Sequence, residues 1–429
     1  MLNLLSLFGL AFFLSIAWMI SEHRKRFPWR TVLSGVGLQI FLGFIILRTE
    51  FGNKVFAGAQ IFAQKLLSFA DQGTAMVFGP LANQSLMAEK VGQGGFVFAI
   101  VVTGTIILVA SISALLYHYG ILQKVVQGMA WVMRRVMGVS GSESLAAAAN
   151  VFMGQTEAPL VVKPYLKLMT RSEMLCLMTG GMSTIAGGVF AVYVGMGIDP
   201  GHLLTASIMS APAALLIAKI MIPEVEVSQT AGGATLSIEK DCTNGLDAMC
   251  KGASDGLKLS MNVLAMLIAF TAAVALVNYI YELFQAGVAY VLICAEFGKE
   301  FHGAHFELQP ATLQTVLGYA NAPFAYIMGI PWSDCVTVGQ AMGERIVLNE
   351  FMGYLTLSGE AKNLDSRSLI IGTYALCGFA NFASIAIQIG GISAICPERR
   401  ADLAKLGFRS MIGGVLASYT TACVAGMLI

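Results

Sequence analysis

The run 122-LQKVVQGMAWVMRRVMGVSGSE-143 aligns without a gap on 313-LQTVLGYANAPFAYIMGIPWSD-334. Both read Leu-Gln-x-Val, then Met-Gly followed by Val or Ile, then Ser and an acid. The correspondence continues downstream. Glu157 lies twenty residues after Met137, and Glu350 lies twenty-two after Met328. Farther on, 180-GGMSTIAG-187 matches 377-CGFANFAS-384, which sets Thr184 opposite Asn381. The chain therefore carries two copies of one unit, roughly 121–222 and 312–429.

The surroundings of these copies are apolar. The 429 residues are 56% hydrophobic and 12% charged, where a soluble domain carries about 25% charged residues. Stretches 1–21, 31–47, 91–123, 174–198, 259–281, 368–397 and 410–429 hold no Asp, Glu, Lys or Arg, and 200–218 is a further apolar run. Each reaches or approaches the ~20 residues that carry an α-helix across ~30 Å of hydrocarbon. These are eight candidate crossings of a polytopic α-helical membrane protein. The first is read as a retained crossing, since its charges follow it and no small-residue cleavage site appears. A net charge of +1 with no basic stripe excludes nucleic acid as a partner. The eight cysteines are scattered without zinc-type spacing and read as packing residues. The five histidines stand apart, and 92-GQGG-95 lacks the strand–helix context of a nucleotide loop.

Basic residues orient the chain, because Lys and Arg of short loops stay on the cytoplasmic side. The cluster 21-SEHRKRFPWR-30 puts the N-terminus outside. Eight crossings then place Arg134/Arg135, Lys163/Lys167/Arg171 and Arg399/Arg400/Lys405/Arg409 inside, and the C-terminus outside. Segment 54–72 is too polar to span and reads as an interfacial amphipathic helix. The polar, Gly-rich stretch 223–256 reads as a long cytoplasmic connection. With an odd number of crossings between them, the two copies face opposite ways. Inverted repeats are a mark of secondary transporters, with the site between repeats near mid-membrane. The repeat also settles 308–333, which is charge-free. Its counterpart 122–138 carries Lys124, Arg134 and Arg135 and cannot span. Both are read as interfacial helices leading into re-entrant hairpins, with Glu157 and Glu350 near the tips.

An ionised carboxylate at bilayer depth costs about 2.5–3.5 kcal/mol on insertion scales. The plain reading of each acid is a hairpin tip in water. The functional reading is a protein-lined polar pocket, where non-helical backbone is tolerated. The first copy offers it Gln155, Thr156 and Glu157, and the second offers Glu350, Asn381 and Ser384. The set has no Lys or Arg, which a phosphate or carboxylate ligand would want. Amides, hydroxyls and carboxylates suit a neutral solute with a sugar and a base edge, a nucleoside. The glycines of 180-GGMSTIAGG-188 weaken a helix. An unwound turn frees carbonyls that, with a Thr hydroxyl and a nearby amide, suit a hard cation. Close helix packing is the plain alternative for those glycines.

At these residues the sequence resembles the concentrative nucleoside transporter family. The resemblance rests on GQTEAPL (154–160), GGMSTIAG (180–187), NEF (349–351) and ALCGFANFASIAIQIGG (375–391), with agreeing order and spacing from about residue 120 onward. It implies a homotrimer whose protomer has a scaffold (the first three crossings and the 259–281 helix) and a mobile transport domain built from the repeats. It implies nucleobase contacts from Gln155, Thr156, Glu157 and Val189, and ribose contacts from Glu350, Asn381 and Ser384. It also implies a sodium site at Asn150, Met153, Thr184, Ile185 and Gly188. Gly188 offers a carbonyl where some relatives carry a serine hydroxyl.

The resulting expectation is an all-α protein with eight transmembrane helices and two re-entrant hairpins in inverted repeats. Its divisions are 1–120 (scaffold helices), 121–222 (first repeat), 223–300 (linker and scaffold helix) and 301–429 (second repeat). The expected activity is sodium-coupled import of nucleosides, uridine-like, through the bacterial inner membrane by an elevator motion, without an organic cofactor. The alternatives are proton coupling, or an elevator transporter of another polar solute. A membrane enzyme using the two glutamates as acid and base would need a nucleophile or metal close by.

Overall fold

The computed structural model describes residues 2–82, 87, 97–230, 242–296 and 312–429. The stretch 92–95, His302, His305 and residues 308–311 lie outside them. Every regular element among the described residues is helical.

Helices α1 (Leu2–Met19) and α2 (Trp29–Arg48) are followed after Thr49 by α3 (Glu50–Phe78). Thr49 caps α3 by accepting from the Gly52 N–H at 3.2 Å, and Gly79 ends it at φ +58°. The helix is longer than the 54–72 expected and lacks the apolar content of a span. Helix α4 (Phe98–His118) is a span, and α5 (Ile121–Met137) is amphipathic, as its basic residues require.

The first unit continues with α6 (Gly141–Asn150), a turn, the single helical turn α7 (Ala158–Val161), then α8 (Arg171–Ser183), α9 (Gly187–Gly195) and α10 (Pro200–Met221). The starts of α6 and α8 carry reciprocal capping boxes, Ser140 with Glu143 and Thr170 with Glu173, which satisfy otherwise orphaned N–H groups. Helix α11 (Gly245–Glu296) precedes the second unit, which comprises α12 (Leu313–Ile327), α13 (Cys335–Val347), α14 (Glu350–Gly359), α15 (Ser366–Leu376), α16 (Phe382–Ile395) and α17 (Arg400–Leu428). The units share one element order: amphipathic or apolar helix, short-armed hairpin, interrupted helix, long helix. Hairpin arms of 10 to 13 residues (α6, α13, α14) are too short to cross a bilayer.

The structure adds detail to the expected crossings and to the polar connection. Seven described helices, with α8 and α9 taken together, are long and apolar enough to cross a membrane. The stretch 368–397 is not one continuous helix: it divides into α15 and α16 around residues 377–381. The polar connection is also shorter than 223–256, because α11 begins at Gly245. Asp247, Lys251, Asp255 and Lys258 recur at three- to four-residue spacing, which gives one charged helix face, and Lys258 pairs with Asp255 at 3.4 Å. Fifty-two residues make α11 about 78 Å long, so it outruns any bilayer.

Burial separates the helices. Within the spanning window of α10, 89% of residues are buried, against 33% for α2 and α4. Helices α8, α10 and α17 pack against one another, with α1 and α2 outside them and α4 paired with α11. A helix apolar all round belongs in such a centre. The loop after the first hairpin is held to the start of α17: Lys167 pairs with Glu398 at 2.7 Å, and Arg399 donates to the Met169 carbonyl at 2.7 Å.

Candidate functional site

The first interrupted helix breaks at the glycine-rich sequence that predicts it, while the second breaks inside a stretch expected to be one crossing. In the first unit α8 stops at Ser183, and Thr184–Ala186 is non-helical before α9. In the second, residues 377–381 separate α15 from α16, and Gly378 takes φ +128°, a conformation that disfavours any side chain. The hairpin turns face these breaks. The Gly187 N–H donates to the Phe152 carbonyl at 3.2 Å, and a Cβ on Gly154 would lie 3.3 Å from Ala186 Cβ.

Four of the expected substrate residues form a hydrogen-bonded chain. Gln155 Nε2 donates to Ser384 Oγ at 3.0 Å. The Ser384 N–H donates to Asn381 Oδ1 at 2.9 Å, so Asn381 is the N-cap of α16. Asn381 Nδ2 reaches Glu350 Oε2 at 3.4 Å. All four side chains are buried. Asn349 caps α14 by accepting from the Met352 N–H at 3.0 Å, which places Glu350 in the first helical turn, where the positive end of the helix favours a carboxylate. Val189 is buried in the first turn of α9.

Thr156 and Glu157 differ from the others. Both are exposed, so the centre is open at the first hairpin rather than closed on every side. Glu157 folds back on its own turn, accepting from the Gly154 N–H at 3.3 Å, and Asp255 of α11 is its electrostatic neighbour. The two glutamates at matching repeat positions thus stand in unlike surroundings.

The residues expected to hold a cation come from α6, its turn and the first break. Asn150, the last residue of α6, is buried, and among the described residues neither of its amide atoms has a hydrogen-bond partner. A Cβ on Gly180 would lie 2.7 Å from Asn150 Nδ2. Thr184 is buried and donates to the Gly180 carbonyl at 3.0 Å, which leaves its oxygen lone pairs available. Ile185 is buried, while Met153 and Gly188 are half-buried. A buried amide oxygen with no partner on Asn150, a Thr184 hydroxyl and the non-helical backbone of 184–186, with Asn150 and Thr184 each approaching Gly180, are oxygen donors of the kind a hard cation takes.

Three neighbours escaped the sequence reading. Tyr193, wholly buried in α9, donates its hydroxyl to Glu350 Oε1 at 2.8 Å. Gln388 Nε2 donates to the Met178 carbonyl at 3.0 Å and lies beside Gly181. Arg345 corrects the expectation of a centre with no cation nearby. It is fully buried in α13 and is an electrostatic neighbour of Glu350. Its guanidinium donates to the carbonyls of Ala375 and Gly378 and to Ser418 Oγ, at 2.5, 3.2 and 2.9 Å. The cation is thus spent on carbonyls freed where α15 ends. The adjacent charged residues Glu344 and Arg345 within a short hairpin were the available signal.

Two short-armed hairpins closing on two interrupted helices around buried polar groups define a secondary transporter. Known proteins make the class specific. The family model for the Na+ dependent nucleoside transporter C-terminus matches residues 202–426, that for the N-terminus matches 8–81, and one for nucleoside recognition matches 99–199. The chain is 38% identical over 424 residues to the uncharacterized transporter YutK of Bacillus subtilis, across 99% of this chain and 98% of that one. It is 37% identical over 443 residues to sodium/nucleoside cotransporter 1 of Rattus norvegicus, across 99% of this chain and 64% of that one. It superposes on CNTnw in an inward-facing substrate-bound state with TM-score 0.89 and 35% identity, across 100% of this chain and 98% of that one. A doubly substituted CNTnw in an outward-facing state gives 0.91 and 36%, with the same coverage. The chain belongs to the Na+-dependent nucleoside transporter family, a family of transporters and not of enzymes.

Proposed function

We propose that this protein imports nucleosides, uridine-like, through a bacterial inner membrane by sodium symport. The observation that carries the reading is the chain Gln155–Ser384–Asn381–Glu350, which joins the first hairpin to the second through the broken helix of the second repeat. Gln155, Thr156, Glu157 and Val189 would meet the base, and Glu350, Asn381 and Ser384 the ribose. A carboxylate accepts two neighbouring hydroxyls, and an amide pairs with a base edge. Arg345 is committed to backbone carbonyls, so the site offers a phosphate no released cation and favours the neutral nucleoside over its nucleotide.

Sodium would lie among Asn150, Met153, Thr184, Ile185 and Gly188. There it would supply the amide oxygen of Asn150 with its missing partner and draw the first hairpin turn against the break in α8–α9. The substrate would then bridge both hairpins. This order couples the two cargoes. The scaffold is 1–120 with α11, the repeats 121–222 and 301–429 move as the transport domain with an elevator-like motion, and 223–300 joins them. Three protomers form the working unit, with both termini outside.

The test is uptake of labelled uridine into proteoliposomes under an imposed sodium gradient or an imposed proton gradient. Accumulation driven by sodium, blocked by excess unlabelled uridine, and with the label recovered unchanged is the expected outcome. Accumulation that follows the proton gradient and ignores sodium would overturn the coupling. Indifference to every nucleoside competitor would overturn the substrate.

A further inference from the structure

The last turn of α8 carries two adjacent glycines, and the two halves of the centre lean on one each. A Cβ on Gly180 would lie 2.7 Å from Asn150 Nδ2, and the Gly180 carbonyl accepts from Thr184 Oγ1 at 3.0 Å. Asn150 and Thr184 belong to the expected ion set. A Cβ on Gly181 would lie 2.9 Å from Gln155 Cβ and 2.6 Å from Gln388 Nε2. Gln155 belongs to the expected substrate set, and Gln388 comes from α16 of the second repeat. Glycine at both positions lets these side chains approach the helix backbone so closely. The two residues share one planar peptide unit, which passes a displacement of one to the other.

Gln388 ties the second repeat to this seat. It is 1% exposed, and its Nε2 donates to the Met178 carbonyl at 3.0 Å. A carbonyl can only accept, so the amide nitrogen is fixed toward α8. Ser384 stands four residues before Gln388, and both lie on one face of α16. Ser384 Oγ accepts from Gln155 at 3.0 Å, while Asn381 caps the same helix and reaches Glu350. Helix α16 is therefore fastened to the first repeat at two successive turns, to the hairpin through Ser384 and to α8 through Gln388. We propose that Gln388 is the positioning residue that couples the two cargoes. It carries a shift of the α8 end, set by the ion residues, into α16 and so into the alignment of Ser384 and Asn381 with the nucleoside. The inference rests on the ion and substrate assignments proposed above. Without the amide, the Gly180 side orders while α16 stays behind, and the two sites become independent.

The test uses the full-length transporter in detergent and measures uridine binding by calorimetry, in saturating sodium and with choline in its place. The ratio of the two Kd values is the coupling factor, and linkage requires the same factor from sodium affinity with and without uridine. The parent should give a factor of at least about tenfold. Gln388→Met keeps the length of the side chain and removes the amide. It should bring the factor below about threefold, with sodium affinity in the absence of uridine within about twofold of the parent. Gln388→Asn keeps an amide but is one methylene too short for the Met178 carbonyl. It should give the same loss, and it decides if the methionine variant does not fold. A factor equal to the parent's in these variants overturns the inference. So does a fall in both affinities with their ratio kept, which is the mark of a structural defect alone. A parent whose uridine Kd ignores sodium overturns the symport reading and this inference with it, and that failure shows before any substitution is made.

Discussion

The Tyr193 hydroxyl donates to Glu350 Oε1 at 2.8 Å, joining the second half of the first broken helix to the tip of the second hairpin. Both residues are buried, and the Tyr193 ring lies 4.5 Å from that of Tyr354. The bond holds one carboxylate oxygen, while Asn381 approaches the other. Tyr193→Phe keeps the ring packing and removes the bond. Hydrogen bonds to charged groups are worth about 1.5–3 kcal/mol, and about 1.4 kcal/mol is tenfold in affinity. Uridine KM should rise about tenfold, with the maximal rate changed less than about threefold. An unchanged KM would show that Tyr193 does not position Glu350.

Asn150→Ala removes the buried amide that lacks a partner. The sodium concentration for half-maximal uptake should rise at least about tenfold, on the scale of one lost ligand of about 1.4 kcal/mol. Uridine KM at saturating sodium should stay close to that of the parent. Sodium titration at fixed uridine makes the measurement, and an unaltered curve removes Asn150 from the ion site.

Gly180 and Gly181 are neighbours with different expected phenotypes. A Cβ on Gly180 meets Asn150 Nδ2 at 2.7 Å, while one on Gly181 meets Gln388 Nε2 at 2.6 Å and Gln155 Cβ at 2.9 Å. Gly180→Ala should therefore weaken the sodium response, since only the end of the Asn150 side chain must yield. Gly181→Ala should raise uridine KM severalfold, since the Gln155 backbone must yield with it. Equal effects of both variants on both curves would contradict this division.

Arg345→Leu leaves the carbonyls of Ala375 and Gly378 without their donor. Each buried orphan costs about 1–3 kcal/mol, and 1 kcal/mol shifts a large domain by about 2–4 °C. The melting temperature of the purified transporter should fall by at least about 5 °C. Arg345→Lys, with fewer donors in a different geometry, should recover part of that loss. Full stability of the leucine variant would mean that those carbonyls find other partners.

Much of the architecture was legible in the chain because bilayer physics writes it there. Long charge-free runs, basic clusters and a repeated 22-residue motif expose helices, interfacial segments and hairpins, since lipid tolerates few alternatives. The glycines of 180–188 marked the first interrupted helix for the same reason, but the second interruption was hidden in 368–397, which read as one crossing. Gln155, Glu157, Glu350, Asn381 and Ser384 were visible as polar residues in apolar company. Their partners were not. That Asn381 both caps α16 and reaches Glu350, that Arg345 serves freed carbonyls, and that Tyr193 crosses between repeats are matters of distance between segments remote in sequence.

Taken alone, the sequence determined that this chain is helical, membrane-spanning and internally duplicated, because periodicity and the cost of charge in hydrocarbon are properties of local sequence. Tertiary structure alone decided that the twin glutamates are not equivalent, with Glu350 buried and held by Tyr193 while Glu157 stands open at its turn. The physical reason is that a carboxylate's environment is set by which helices pack around it, and packing between distant segments leaves no imprint on the spacing of residues along the chain.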